Sequence, residues 1–153
     1  MKKIKFVVIA FILTGISCQN EAPFSDGQKL MVEKEIKDFI LKVESSLETP
    51  SPEDYFNYFL QTDELAVATQ GQLLTDPNAL RDTINAHLSM MEKQSIEPVD
   101  EKIYVINNDA VVVSMSKVTT ITFKNGAQFT MPYAWTMLIV RRVGEWKIAQ
   151  VHN

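Results

Sequence analysis

Apolar side chains recur at three- and four-residue steps from Gln28 onward: Leu30, Val32, Ile36, Phe39, Ile40, Val43 and Leu47, with Lys34, Lys37, Asp38 and Lys42 between them. That period predicts an amphipathic helix. Thr49-Pro50-Ser51-Pro52 ends it, and Ser51, Pro52, Glu53 and Asp54 are the start signals of a second, short helix that carries Tyr55, Phe56, Tyr58, Phe59 and Leu60. Leu65, Val67 and Thr69 alternate as a short strand closed by Gly71. Asp76-Pro77 opens a third helix whose stripe is Leu80, Ile84, Leu88 and Met91, with Pro98 limiting its extension.

The remainder of the chain is patterned as strands. Residues 102–106 lead into Asn107-Asn108, a turn; residues 110–123 are rich in Val, Thr and Ile; residues 128–142 and 145–151 follow. Lys124-Asn125-Gly126 is the strongest hairpin signal, read as a type I′ turn, and Val143-Gly144 is the next turn. Helices followed by a meander of at least three long strands predict an α+β domain, with helices on one face of a strongly curved antiparallel sheet. Along one of these strands Phe129, Met131, Tyr133, Trp135 and Met137 share a face, because alternate side chains point the same way. A two-residue turn at Val143-Gly144 puts Gln150 and His152 on that face as well; a three-residue turn would put Ala149 and Val151 there. The glycine favours the two-residue form. Tyr55 and Phe59, one helical turn apart, are placed across the opening from this aromatic stripe.

At 153 residues the chain is sized for a single domain, and 46% apolar with 22% charged residues is a globular composition. A formal charge of −4 and a pI near 5.2 argue against nucleic-acid binding. One cysteine excludes an internal disulfide framework and a thiolate zinc cluster, and two histidines without a carboxylate cluster make no metal site. There is no Ser-His-Asp or Cys-His arrangement, no phosphate-binding glycine loop and no dinucleotide fingerprint, so no cofactor is expected. The two long strand interiors, 110–123 and 128–140, contain no Asp or Glu, and their only charge is Lys117. Asp54, Asp63, Glu64 and Asp82 read as caps or solvated charges, and His87 as a boundary residue on the third helix. His152 is left as the one weak acid–base candidate.

The chain starts with a basic segment containing Lys2, Lys3 and Lys5, then an unbroken apolar run from Phe6 to Leu13, then Thr14, Gly15, Ile16, Ser17 and Cys18. This is the pattern of a secretory leader, and the run is too short to span a bilayer. Ser17-Cys18 resembles the lipobox of bacterial lipoproteins, with Gly15 where leucine is usual; the resemblance implies cleavage before Cys18 and acylation of it. The expected organisation is a signal peptide over 1–17, a tether over 18–27 and a domain over 28–153, held by lipid at the cell envelope outside the cytoplasm. Loss of the three leader lysines would take the formal charge from −4 to −7.

The element order and the stretch from Thr136 to His152 resemble the SnoaL-like branch of the nuclear transport factor 2-like superfamily, related to the association domain of calcium/calmodulin-dependent protein kinase II. The carriers are a strand threonine, Arg141-Arg142, a turn at Gly144, Trp146 and a histidine near the end. Two positions depart: Gln150 stands where the family often has a histidine, and Met137 where the kinase domains carry a pocket arginine. The resemblance implies a hollow cone whose concave sheet face and helices enclose a pocket. It supports three functions. The first is binding of a small apolar or amphipathic molecule by Tyr55, Phe59, Met131, Tyr133, Trp135, Met137 and Gln150, without catalysis. The second is an isomerase, cyclase or hydrolase that uses His152. The third is a homodimeric assembly domain that uses the outer-face residues Thr120, Thr122, Thr130 and Thr136.

Overall fold

The computed structural model describes residues 24–153, and Cys18 and the leader lie outside them. Helix α1 (Asp26–Glu48) starts with a capping box: Ser25 Oγ accepts from the Gln28 amide at 3.2 Å, and the Gln28 side chain accepts from the Ser25 amide at 3.0 Å. The helix therefore takes up Asp26 and Gly27, the last two residues of the expected tether. It buries Val32, Ile36, Phe39, Ile40, Val43 and Leu47, the predicted stripe. Helix α2 (Pro52–Phe56) is shorter than expected because the chain after it is drawn into the sheet. Leu60 donates its amide to the Ile148 carbonyl at 2.8 Å, and Ile148 donates to the Tyr58 carbonyl at 2.8 Å. Helix α3 (Pro77–Leu88) is capped by Asp76, whose Oδ1 accepts from the Asn78 amide at 2.9 Å. Met91 does not belong to it and instead begins a strand. Among the described residues no helix is long and apolar enough to cross a membrane.

The six strands are β1 (Ala66–Thr69), β2 (Gln72–Leu74), β3 (Met91–Asn107), β4 (Ala110–Phe123), β5 (Gln128–Arg142) and β6 (Glu145–His152), in the spatial order β2-β1-β6-β5-β4-β3. The sheet is mixed rather than wholly antiparallel, because β1 lies parallel to β6. Strand β3 is far longer than the predicted residues 102–106. It runs along the sheet edge, where Pro98 is tolerated next to a register shift. The Asn125-Gly126 hairpin forms with a different turn: only Gly126 has positive φ, at 85°, and Phe123 donates to the Ala127 carbonyl at 2.9 Å. At Val143 and Gly144 both φ angles are positive, 53° and 82°, as a two-residue type I′ turn requires.

That turn has the expected length, yet the last strand presents the opposite face. Ile139 pairs with Ile148 while Leu138 pairs with Gln150, so Ala149 is a bulged residue with no partner of its own. One extra residue inverts the alternation beyond it. Val151 is consequently buried opposite Met137, and Gln150 and His152 are exposed on the convex side opposite Leu138 and Thr136. The bulge sits where residues 58–60 cross to Ile148, and Ala149 is buried with Leu60 and Val140. The core fills the narrow end of the concave face, with Val111, Val113, Met115, Met137, Ile139 and Ile148 packed against the α1 stripe, Phe56 and Leu65.

Candidate functional site

Towards the hairpin end of β4 and β5 the helices no longer fill the concave face, and a cavity of about 230 Å³ opens between them and the sheet. β5 supplies Met131, Tyr133 and Trp135, each two residues from the next, with the Tyr133 and Trp135 rings 5.1 Å apart. β4 supplies Thr119 and Ile121, α1 supplies Leu47, α2 supplies Tyr55, and α3 supplies Ile84, His87 and Leu88. Met91, Gln94 and Asn153 complete the wall.

Of the residues expected to line a pocket, Tyr55, Met131, Tyr133 and Trp135 are brought together here. Phe59 and Met137 are buried core residues outside the lining: Phe59 packs edge-on to Tyr55 at 5.2 Å and bridges to Ile148, and Met137 pairs with Val151. Gln150 and His152 are excluded from the cavity by the Ala149 bulge. Phe129 keeps the register of the stripe but lies beyond the helices and is 54% exposed. His87, read as a boundary residue, is part of the wall. Thr119, Gln94 and Asn153 were not anticipated. Thr119 follows from strict alternation along β4, whereas Gln94 belongs to the half of β3 that carried no strand signal.

The cavity is nearly free of charge. Among the described residues its lining contains no Asp, Glu, Lys or Arg. Burial pushes the Tyr55 phenol far above its ordinary range, with the neighbouring Tyr133 adding to the effect. Burial also raises Tyr133, partly offset by the Thr119 hydroxyl, which would stabilise a phenolate beside it. Both phenols are therefore protonated at neutral pH. The Thr119 hydroxyl, on a residue only 1% exposed, lies beside the Tyr133 phenol and is shielded from solvent. Lys117, the strand-interior charge, points inward one alternation from Thr119 but is engaged elsewhere, in an ion pair with Glu44 of α1. Burial pushes its amine below the ordinary lysine range.

A second and larger hollow, about 1040 Å³, is an open groove between α1, α2 and the β5–β6 turn. Four of its charges are paired within it, Arg141 with Glu35 and Lys147 with Glu145. The Glu35 carboxylate accepts from Trp146 Nε1 at 3.0 Å and pairs with Arg141, whose guanidinium lies 4.2 Å over the Trp146 ring. The indole hydrogen bond and, against the opposing effect of burial, the Arg141 guanidinium hold Glu35 below the usual carboxylate range. This clamp ties α1 to the end of the sheet. The smaller cavity is the better candidate site because its wall is aromatic and aliphatic and has no Asp, Glu, Lys or Arg. Among the described residues no group of three His, Cys, Asp or Glu side chains could hold a metal ion.

A helix-backed, strongly curved six-stranded sheet with a cavity under its open end defines a nuclear transport factor 2-like domain. The chain belongs to the SnoaL-like domain family, which matches residues 36–153. Among solved structures it is similar to a nuclear transport factor 2-like superfamily protein from Salmonella enterica, with a TM-score of 0.70 and 16% identity over 81% of this chain and 90% of the other. It is also similar to the association domain of C. elegans CaMKII (TM-score 0.64, 16% identity, 84% and 98% covered). A type 2 hexachlorocyclohexane dehydrochlorinase is similar at a TM-score of 0.67, with 15% identity and 83% and 86% covered. At these identities the likeness is one of fold. No curated protein matches the chain.

Proposed function

We propose that this SnoaL-like domain is a non-catalytic binding module that holds a small apolar or amphipathic molecule in the cavity between α3, Tyr55 and the β5 stripe. The observation that carries the reading is an aromatic and aliphatic lining with no Asp, Glu, Lys or Arg, in which the one imidazole is that of the exposed His87 on α3. Apolar walls with few polar groups are the usual chemistry of small-molecule sites. Proton-transfer catalysis needs an acid or base within hydrogen-bond reach of the ligand, and His152 lies on the convex side. The leader pattern supports presentation of the domain outside the cytoplasm on a lipid attached to Cys18.

One measurement tests both parts: native mass spectrometry of the protein extracted from the organism that makes it. The expected spectrum shows a noncovalent adduct lost on unfolding, together with an acyl mass on Cys18. A bare polypeptide under native conditions with an unmodified Cys18 would contradict both.

A second reading, a homodimer across the convex face, draws on a row of side chains that runs Tyr104, Val112, Leu138, Gln150 across four strands. Tyr104 is 49% exposed, and Ile106 on the same face 57%. The adjoining row, Lys102, Ser114, Thr136 and His152, is polar, and Thr120 and Thr130 bond to each other at 2.9 Å. Such a mixed surface suits an association of moderate strength.

A further inference from the structure

On the other side of α3 from the cavity lies a recess of about 440 Å³, between that helix and the β1–β2 hairpin. The helix turns Thr83, Ala86 and His87 towards it, at the three- and four-residue spacing of one helical face. The hairpin adds Thr69, Gln70 and Gln72. Among the described residues the lining of the recess, like that of the cavity, has no Asp, Glu, Lys or Arg, but amides and hydroxyls take the place of the aromatic rings. His87 and Asn153 line both spaces and so form the boundary between them. Both residues are exposed, and each is anchored through its backbone: the Asn153 amide donates to the Ala68 carbonyl at 3.2 Å, and the His87 carbonyl accepts from the Met90 amide at 3.3 Å. Exposed side chains change rotamer within nanoseconds, so the boundary is a movable partition. The hairpin turn is a further sign. Its central residues Gln70 and Gly71 have φ of 49° and 76°, and the first of these positions ordinarily selects Asn, Asp or Gly. Glutamine there holds a long amide over the recess in a backbone conformation that L-residues disfavour.

We infer that cavity and recess are the two halves of one site for an amphiphile, with an apolar ring or short chain in the cavity and a polar head in the recess. The inference rests on the binding reading above and selects an amphipathic ligand over a purely apolar one. Volume supports it: about 230 Å³ lies below the roughly 300–1,000 Å³ of drug-sized sites, whereas the two spaces joined lie within that range. The segregation of the walls orients the molecule. Apolar surface gains by entering between Trp135, Met131 and Leu88, and a polar head keeps its hydrogen bonds by staying beside the hairpin. Primary amides and hydroxyls both donate and accept, so the recess suits a head that does the same, of which a sugar is the simplest case.

The test is calorimetric titration of wild type and Ala86→Trp with two phenyl ethers, anisole and phenyl β-D-glucopyranoside, which share the apolar part and differ in the head. Wild type is expected to bind both, the glucoside at least about tenfold more tightly, the effect of two net hydrogen bonds between neutral groups. Ala86 is exposed and lines the recess but not the cavity, so a tryptophan there fills the head's place from the surface of α3. That variant is expected to bind anisole within about twofold of wild type and to bring the glucoside to within about twofold of anisole. A glucoside no tighter than anisole in wild type, a gain that survives Ala86→Trp, or an equal loss for both ethers in the variant would each overturn the inference while leaving the binding reading intact. Failure of wild type to bind anisole would contradict the binding reading, and the inference with it.

Discussion

Glu44→Gln should destabilise the fold by about 3–5 kcal/mol, the usual cost of stripping the partner from a buried ion pair. The pair joins the C-terminal half of α1 to the middle of β4, and Lys117 is only 4% exposed, so its ammonium has no route to water once Glu44 is neutral. The converse substitution, Lys117→Met, should cost less, because the Glu44 side chain is 20% exposed and can be partly hydrated. Replacing both, as Glu44→Leu with Lys117→Met, should restore stability or exceed it, since two apolar residues avoid the desolvation of two charges. Urea midpoints of the four proteins check this ordering. Two independent, additive losses of under about 0.5 kcal/mol would place the pair at the surface.

The pH dependence of Glu44→Gln has a definite sign. Burial lowers the Lys117 pKa in the folded state, so the unfolded chain binds more protons between that lowered value and the ordinary lysine value of about 10.4. Stability of the variant should therefore rise with pH through this window.

The second large effect belongs to the last strand. Val151→Asp should cost at least about 4 kcal/mol, combining the lost burial of a valine with an unpaired carboxylate in the core. Gln150→Asp should stay within about 0.5 kcal/mol of wild type, as an exposed substitution on the convex face. Thermal melts of the two variants decide the facing of β6 directly. An unbulged strand would give the reverse order, with Gln150 inside and Val151 outside.

Local physics made much of the fold legible in the sequence. The α1 stripe, the Asp76-Pro77 helix start, the alternating β4 and the alternating first part of β5 need only their own residues to be read, and the structure follows them closely. What escaped depends on distant contacts. The first half of β3 is an edge segment in which Glu92, Lys93 and Glu97 are exposed, so it lacks the apolar alternation that marks a strand. The parallel pairing of β1 with β6 joins segments far apart in the chain, Ala66 with Gln150. The Ala149 bulge forms where residues 58–60 reach Ile148, and no local signal near Gly144 announces it. For the site, β5 alternation correctly grouped Met131, Tyr133 and Trp135, while Met137 continues the same stripe into the packed end of the cone. Where the core stops and the cavity starts is set by how far the helices reach over the sheet. That depth is a property of the assembled layers and is not written in any one strand.

The central claim is that the open end of this cone is a receptive apolar chamber, and calorimetric titration with isopropylbenzene tests it most directly. A hydrocarbon of this size entering a preformed site should saturate with a dissociation constant of about a millimolar or tighter, and with a negative heat-capacity change. Leu88→Phe, which adds bulk to the α3 wall of the cavity, should weaken binding at least about tenfold while leaving the far-ultraviolet circular dichroism unchanged. Absence of saturable heat in wild type, or binding indifferent to Leu88→Phe, would contradict the account.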